Sequence, residues 1–193
     1  KKILEKIKKY DVILLSDFNY GVLVQDLVDK ITKISLKKKI IICADSQSSS
    51  QLGNISRFQN LSLLTPTERE ARLSMHNNED GLIVLVEKLR KKTKAKNVLL
   101  KLGQEGILIH TGNDKKNIKW LTDKIGPMNL HPKDVSGAGD CLFVVSSMAK
   151  VSGANIWETA FLGSLASAIQ VSRTGNIPLQ LKELLREINQ ISI

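Results

Sequence analysis

The sequence has 193 residues, 42% of them hydrophobic, which is enough for one domain with a substantial core and too few for two large ones. Its formal net charge of +10 favours anionic partners, but the lysines are spread along the chain and only 4% of residues are aromatic, which argues against nucleic-acid recognition by base stacking. No apolar run reaches membrane-spanning length and no signal peptide is visible, so we expect a cytoplasmic protein that binds neither nucleic acid nor membrane.

Apolar runs alternate with helical patterns along the chain. The predicted strands cover 11–17, 38–45, 61–65, 97–103 and 106–110, and the predicted helices cover 22–34, 67–75, 79–93, 141–151, 153–171 and 179–190. This alternation predicts an α/β fold with a mainly parallel sheet and helices on both faces. Ligands bind such sheets at the carboxyl ends of the strands, where the polar and glycine-rich segments of this chain lie.

Local signals add detail to this outline. Thr67 or Thr65 is placed to cap a helix, and Glu70 follows Thr67 at the spacing of a capping box. The sequence LGQEG predicts a tight hairpin between the fourth and fifth strands, and the serine-rich segment 46–54 a flexible loop.

Cysteine and histidine spacing excludes several kinds of site. Cys43 and Cys141 lie in apolar runs without a CxxC pattern, which indicates buried thiols in a reducing compartment. The three histidines share no ligand spacing, which argues against zinc.

The segment DVSGAGD, residues 134–140, is the strongest chemical signal. Gly137 and Gly139 let the backbone turn tightly, and the helix that follows places their amides at the positive end of its dipole, where an anion binds. Asp140 would repel that anion unless it takes a proton from an attacking hydroxyl. The alternative is that Asp140 caps the helix while the glycines pack against a strand.

DVSGAGD resembles the DTxGAGD signature of the ribokinase-like, or PfkB, carbohydrate kinases. LLTPTEREA is similar to that family's TPNxxE stretch, LLKLGQEGILI to its TLGxxG turn, and SLASAIQVSRTGNIP to its closing helix and nucleotide-side loop. VILLSDFNYGVL resembles the DYxKGVL stretch of the heptose-phosphate kinase domain in bifunctional ADP-heptose synthases. The resemblance extends from about Asp11 to Pro178 and implies the family's three-layer α/β/α sandwich.

The resemblance implies ATP and Mg²⁺ as cofactors and a sugar or sugar phosphate, such as heptose 7-phosphate, as substrate. It makes Asp140 the catalytic base and Gly137, Ala138 and Gly139 the anion hole. Residues beside ATP would be Lys101, Gly103, Gly106, Gly175 and Asn176. Residues facing the substrate would be Asp17, Asn19 and Asp45. Glu70, with Thr67, would hold magnesium through water, and Asp134 and Ser136 stand where some relatives bind a monovalent cation such as K⁺.

The chain departs from the family pattern at several positions. Thr67 replaces the asparagine of TPNxxE, Tyr20 replaces the lysine of DYxKG, and Asp45 is followed by SQSSS where relatives often have a DPKG-like sequence. Two positive charges that could face a sugar phosphate are therefore absent, which argues against a simple transfer of the heptose 7-phosphate specificity.

The family's first strands, its lid sheet and much of its sugar pocket precede the part that resembles this chain. We therefore interpret residues 1–193 as a single domain, the C-terminal portion of a PfkB-type kinase, and expect any homodimer to form through the absent region. Taken alone, such a chain would bind on the ATP side and phosphorylate sugar poorly. Two alternatives remain: a kinase of the superfamily acting on a non-sugar alcohol, and a catalytically weak nucleotide-binding or regulatory domain.

Overall fold

The computed structural model describes residues 2–47, 53–112 and 120–191. The chain divides into two compact units: Lys1–Lys101 with Leu108–Asp123, and Leu102–Ile107 with Lys124–Ile193. The prediction that 1–193 form a single domain stays a prediction. Within the described ranges, no helix is long and apolar enough to span a bilayer.

Among the described residues, six strands form one sheet in the order β1 to β6, so that each strand pairs with its neighbours in sequence. They are β1 (Val12–Asp17), β2 (Ile41–Ser46), β3 (Leu63–Leu64), β4 (Asn97–Lys101), β5 (Ile107–Gly112) and β6 (Trp120–Ile125). The first four strands are parallel, with Asp17 opposite Ser46 and Leu64 opposite Val98. The carboxyl ends of β1, β2, β3 and β4 therefore lie along one edge of the sheet.

In the part of the chain that the structure describes, seven α-helices accompany the strands. They are α1 (Lys2–Lys6), α2 (Gln25–Lys38), α3 (Glu68–Met75), α4 (Leu82–Thr93), α5 (Ala138–Val151), α6 (Ile156–Val171) and α7 (Leu181–Ile191). In the first unit, α2, α3 and α4 each end at a residue in the left-handed conformation, namely Lys39, His76 and Lys94. In the second unit, Asn155 begins α6 with a capping box that includes Glu158.

Each unit has its own buried apolar residues. In the first unit the strand runs are fully covered, including Leu63, Leu64 and 98–100. In the second unit α5 and α6 pack closely because Gly163 lies against Ser146, where a β-carbon would come within 2.0 Å of the serine hydroxyl oxygen. Phe143 and Ala160 are buried on the two facing helices.

The structure confirms the predicted α/β class and mainly parallel sheet. The predicted hairpin is also present: Leu102 N–H donates to Gly106 O (2.9 Å), and Gly112 N–H donates to Lys96 O (3.1 Å), which makes β4 and β5 antiparallel neighbours. Neither cysteine is in a disulfide; Cys43 is buried as predicted, whereas Cys141 is only half-buried, so the prediction of a buried thiol is wrong for Cys141. The predicted flexible loop lies partly outside the described residues, and Ser46 itself is buried at the end of β2.

Several element boundaries differ from the prediction: α2 covers 25–38 instead of 22–34, and α4 and α6 each begin three residues later than predicted, at 82 and 156. Helix α5 begins at Ala138, so Ala138, Gly139 and Asp140 form its first turn and only Gly137 precedes it. Strand β6 was not predicted from the sequence, because its residues 121–125 are mostly exposed and give no buried apolar run. Its role is to pair with β5 at the end of the sheet.

Candidate active site

At the carboxyl ends of β1 and β2, polar side chains lie on opposite faces of the sheet. Asp17 is opposite Ser46 in the register, and Asp45 is opposite Ser16. Because side chains alternate between faces along a strand, Asp17 and Ser46 share one face while Asp45 points to the other. The three residues predicted to face substrate, Asp17, Asn19 and Asp45, therefore belong to two separate clusters.

The first cluster is organised by Arg57, which the sequence analysis did not single out. Asp17 is buried, and its carboxylate accepts hydrogen bonds from Arg57 Nη2 (2.8 Å) and from the Asn19 backbone N–H (3.0 Å). The same Nη2 donates to Leu23 O (2.7 Å). Asn19, in the left-handed conformation, donates through Nδ2 to Ser46 Oγ (3.2 Å). Arg57 thus fixes the loop that follows β1, and Asp17 serves as a strand-end cap.

The second cluster joins Asp45 to Lys101. The ammonium of Lys101 donates to both carboxylate oxygens of Asp45, at 3.0 and 3.1 Å. The Asp45 side chain is 3% exposed and that of Lys101 15%. Lys101 lies at the end of β4 and is bridged in parallel to Thr67. A residue predicted to face substrate and one predicted to lie beside ATP are therefore in direct contact.

Thr67 and Glu70 form the capping box that their spacing predicts. Thr67 Oγ1 accepts from the Glu70 backbone N–H (3.2 Å), and Glu70 Oε2 accepts from the Thr67 backbone N–H (2.7 Å). Thr67 is the residue that caps α3, whereas the Thr65 hydroxyl is buried without a hydrogen-bond partner. Glu70 is itself buried, with one carboxylate oxygen committed to the cap.

In the second unit, Gly103 and Gly106 define the turn that follows β4. Both have positive φ, 61° and 86° respectively. A β-carbon at Gly106 would lie 2.1 Å from Ile125 O, whereas one at Gly103 would meet nothing within 4 Å. Glycine is therefore required at 106 by close approach of another backbone, and at 103 by conformation alone.

The segment 134–140 forms the entrance to α5. Gly137 precedes the helix with φ of 75°, and a β-carbon there would lie 2.2 Å from Asn176 Oδ1. Two residues predicted to flank the phosphates and the adenine, Gly137 and Asn176, are thus neighbours. The first i to i−4 hydrogen bond of α5 runs from Cys141 N–H to Gly137 O (2.9 Å). The amides that precede Cys141 therefore lie at the positive end of the helix.

Asp134 links this entrance to the loop that follows α6. Its carboxylate accepts from the Ser136 N–H (2.9 Å) and from the Gly175 N–H (2.8 Å). Hydrogen bonds from the Ser136 side chain and backbone and from the Gly175 backbone hold the pKa of Asp134 below its ordinary value of 3.8. The carboxylate is therefore charged at neutral pH and holds the two loops together.

Gln170, which the sequence analysis did not identify, connects the same loops. It is completely buried near the end of α6 and donates through Nε2 to Ser136 O (3.1 Å) and to Gly175 O (3.2 Å). Its position in an apolar helix gave no signal of this role, since the partners lie 34 residues before it and five after it. Among the residues that the structure describes, no group of three or more His, Cys, Asp or Glu side chains could hold a metal ion by itself.

The family model described as pfkB family carbohydrate kinase matches residues 1–182 of this chain. The chain belongs to the pfkB family of carbohydrate kinases. Among curated relatives of this pfkB chain, the bifunctional protein HldE of Helicobacter acinonychis is 26% identical over 191 residues, which cover 97% of the chain and 39% of that protein. HldE of Aliarcobacter butzleri is 30% identical over 185 residues, covering 94% of the chain and 36% of that protein. The pfkB chain thus spans less than two-fifths of the length of these relatives.

Solved structures give the same fold. Phosphofructokinase-2 from Escherichia coli, solved in complex with potassium, has a TM-score of 0.78 and 16% identity to the pfkB chain. The match covers 100% of the pfkB chain and 62% of the phosphofructokinase-2 chain. Arabidopsis thaliana ribokinase, complexed with ribose and ATP, has a TM-score of 0.76 and 22% identity, covering 96% and 58% respectively. The pfkB chain therefore has the ribokinase-like α/β fold.

Proposed function

We propose that the chain carries out ATP-dependent phosphorylation of a hydroxyl on a sugar or sugar phosphate. The observation that carries the proposal is the entrance to α5, where Gly137 adopts a left-handed conformation and Asp140 lies in the first helical turn. Family membership over residues 1–182 supports the same activity. A module that only binds nucleotide has no use for a carboxylate inside a site built to hold an anion.

In this reaction Asp140 acts as the base. It takes the proton of the attacking hydroxyl while that oxygen bonds to the terminal phosphorus of ATP, and the bond from that phosphorus to the bridging oxygen breaks to release ADP. The backbone amides of the 137–139 segment stabilise the charge on the transferring phosphoryl group. They act at the positive end of α5, where the helix dipole adds to their effect.

The nucleotide is held by the turn after β4 and by the loop after α6. The assigned residues are Lys101, Gly103, Gly106, Gly175 and Asn176. Lys101 is the one cation among these residues, and within the first unit its ammonium is held by Asp45. Magnesium suits Glu70, whose buried carboxylate would hold it through water, with Thr67 beside it. When bound, this ion neutralises phosphate charge.

The residues assigned to the substrate are Asp17, Asn19 and Asp45. Because the two carboxylates are already hydrogen-bonded to cations, we infer that they order the backbone and Lys101 around the substrate. Asn19, whose Nδ2 donates to Ser46 Oγ and Gln47 O, orders the same loop. The resemblance of VILLSDFNYGVL to the heptose-phosphate kinases makes heptose 7-phosphate the first sugar phosphate to test.

Because we expect the chain taken alone to phosphorylate sugar poorly, the test measures ADP release by the full-length protein, with Mg²⁺ and a panel of sugars and sugar phosphates that includes heptose 7-phosphate. We expect turnover stimulated by one of them, and a loss of about 10²–10⁴-fold in Asp140→Asn, which keeps the side-chain size but not the base. Wild-type turnover no greater than that of Asp140→Asn on every compound would contradict the proposal. If ATP then still bound equally to both proteins, the regulatory alternative would replace it.

A further inference from the structure

Gln170 is a buried amide that the phosphoryl-transfer mechanism does not use. It is completely inaccessible, and its Nε2 group donates to two backbone carbonyls, Ser136 O and Gly175 O. One carbonyl belongs to the segment before α5 and the other to the loop after α6. A single NH₂ group therefore joins the two loops that carry the proposed phosphate and adenine contacts.

The orientation of this amide follows from its other contacts. Gln170 Oε1 accepts from Arg173 Nη2 (2.9 Å) and from the Cys141 thiol (3.8 Å). Arginine has no acceptor, so the oxygen of the amide must face Arg173 and the nitrogen must face the two carbonyls. Burial raises the pKa of the Cys141 thiol, which keeps that group protonated as a donor. Arg173 is fixed in turn by Glu183 (2.9 Å) and by Ile177 O (2.7 Å).

The oxygens that would bind a monovalent cation are already hydrogen-bonded. Gly175 O accepts from Gln170 Nε2 and from the Ile177 N–H (3.0 Å), which engages both of its lone pairs. Ser136 O accepts from the same Nε2, and each carboxylate oxygen of Asp134 accepts from a backbone N–H. Gly175 O thus has no lone pair left for a cation, and Gln170 Nε2 already lies within hydrogen-bond distance of both carbonyls, where an ion shared by them would have to lie. The residues around Asp134 and Ser136 therefore do not fit a potassium ion in this arrangement.

We propose that the side-chain amide of Gln170 takes the place of a monovalent cation between the segment before α5 and the loop after α6. An NH₂ group resembles a small cation in presenting positive charge, here on its two hydrogens, to two carbonyl oxygens. Gln170 is thus a positioning residue that holds both loops in place without potassium. The structural part of this inference stands on the contacts above, and its consequence for ATP binding rests on the proposed function.

The first experiment compares melting temperatures in potassium, sodium and choline chloride at equal ionic strength, without nucleotide. We expect the wild-type chain to melt at the same temperature in all three salts. Gln170→Ala removes the amide and leaves the carbonyls beside Asp134, so we expect it to melt lower in choline and to regain stability in potassium. Gln190→Ala, at an exposed glutamine of the same unit, is the matched control and should behave as the wild type.

The second experiment measures the affinity for Mg-ATP in the same salts. We expect the wild-type affinity to be equal in potassium and choline, and that of Gln170→Ala to fall by about tenfold in choline, as loss of buried hydrogen bonds implies. Gln170→Glu, of the same shape, exchanges the donor for a carboxylate that attracts a cation. It should bind Mg-ATP better in potassium than in choline.

Potassium-specific stabilisation of the wild-type chain would overturn the proposal, even if no variant folded. So would a Gln170→Ala protein that matches the wild type in every salt. If Mg-ATP bound to none of the proteins, the kinase proposal would fail, and the nucleotide-free melting temperatures would still decide the role of Gln170.

Discussion

Lys101 and Asp45 form a nearly buried ion pair at the ends of β4 and β2. Two ionised groups at such a site are costly to remove from water, and the cost is recovered only when each has its partner. Here the pairing is bidentate, at 3.0 and 3.1 Å. The pair therefore fixes the position of the one lysine that we assign to the ATP side.

We expect Asp45→Asn to lower the free energy of unfolding by about 3 kcal/mol, because it leaves the Lys101 ammonium without its counter-ion. Lys101→Met, which keeps the aliphatic stem, should lower the free energy of unfolding by a similar amount. The loss in the double variant should be smaller than the sum of the two single losses by about 1–3 kcal/mol. Urea denaturation at neutral pH measures all three proteins. Additive losses would show that the contact is not energetically coupled.

The control for this cycle is a surface pair in the same unit. Asp26 and Lys30 are one turn apart on α2, with exposed side chains. Asp26→Asn should change the free energy of unfolding by less than about 0.5 kcal/mol, since solvent screens such pairs.

At the scale of elements, the sequence predicts the strands that are defined by runs of buried apolar residues. The strands β1, β2, β4 and β5 are continuous apolar runs, and all four were predicted. Strand β6 was not, because pairing with β5 rather than an apolar pattern defines it. Helix α5 begins three residues earlier than predicted at 141, since Ala138 and Gly139 read as loop but continue the helical turn from Gly137.

The turn after β4 shows how one glycine determines the geometry between two elements. We expect Gly106→Ala to destabilise the chain by about 3 kcal/mol or more, because its φ of 86° is unfavourable for alanine and its β-carbon would meet Ile125 O at 2.1 Å. Gly103→Ala, at a φ of 61° with open space, should cost only about 1 kcal/mol. Thermal melting of the two proteins measures the difference. Equal losses would mean that strain alone, and not the backbone contact, requires glycine.

At the scale of the whole molecule, family resemblance predicted the glycines and acids of the site, but not the side chains that hold them. Arg57 and Gln170 act through backbone carbonyls, such as Leu23 O and Ser136 O, that lie 34 residues away. Such contacts leave no local pattern, because any loop supplies a carbonyl. Sequence reasoning therefore proposes the chemical groups, and only the folded chain shows which side chains contact the segments that carry them.

A second buried network links the late strands of the first unit to α4. His110 is completely buried, with Nδ1 2.7 Å from Thr122 Oγ1 and Nε2 2.9 Å from Glu87 Oε2. Burial raises the pKa of Glu87, but hydrogen bonds from Arg90 and His110 outweigh it and hold the pKa at about 2. Burial lowers the pKa of His110 below its ordinary value of 6.5, although Glu87 opposes the shift. The imidazole is therefore neutral in the folded chain at neutral pH.

Both shifts predict loss of stability in acid. The unfolded chain binds a proton at His110 below pH 6.5 and at Glu87 below pH 4.5, whereas the folded chain binds each only at lower pH. We expect the melting temperature to be constant between about pH 7 and pH 8 and to fall steadily below pH 6.5. His110→Gln, which retains polar atoms toward Glu87 and Thr122 but does not titrate, should flatten the first part of this fall. His131→Gln, at an exposed histidine, should leave the profile unchanged, and an equal flattening in both variants would rule out His110 as its cause.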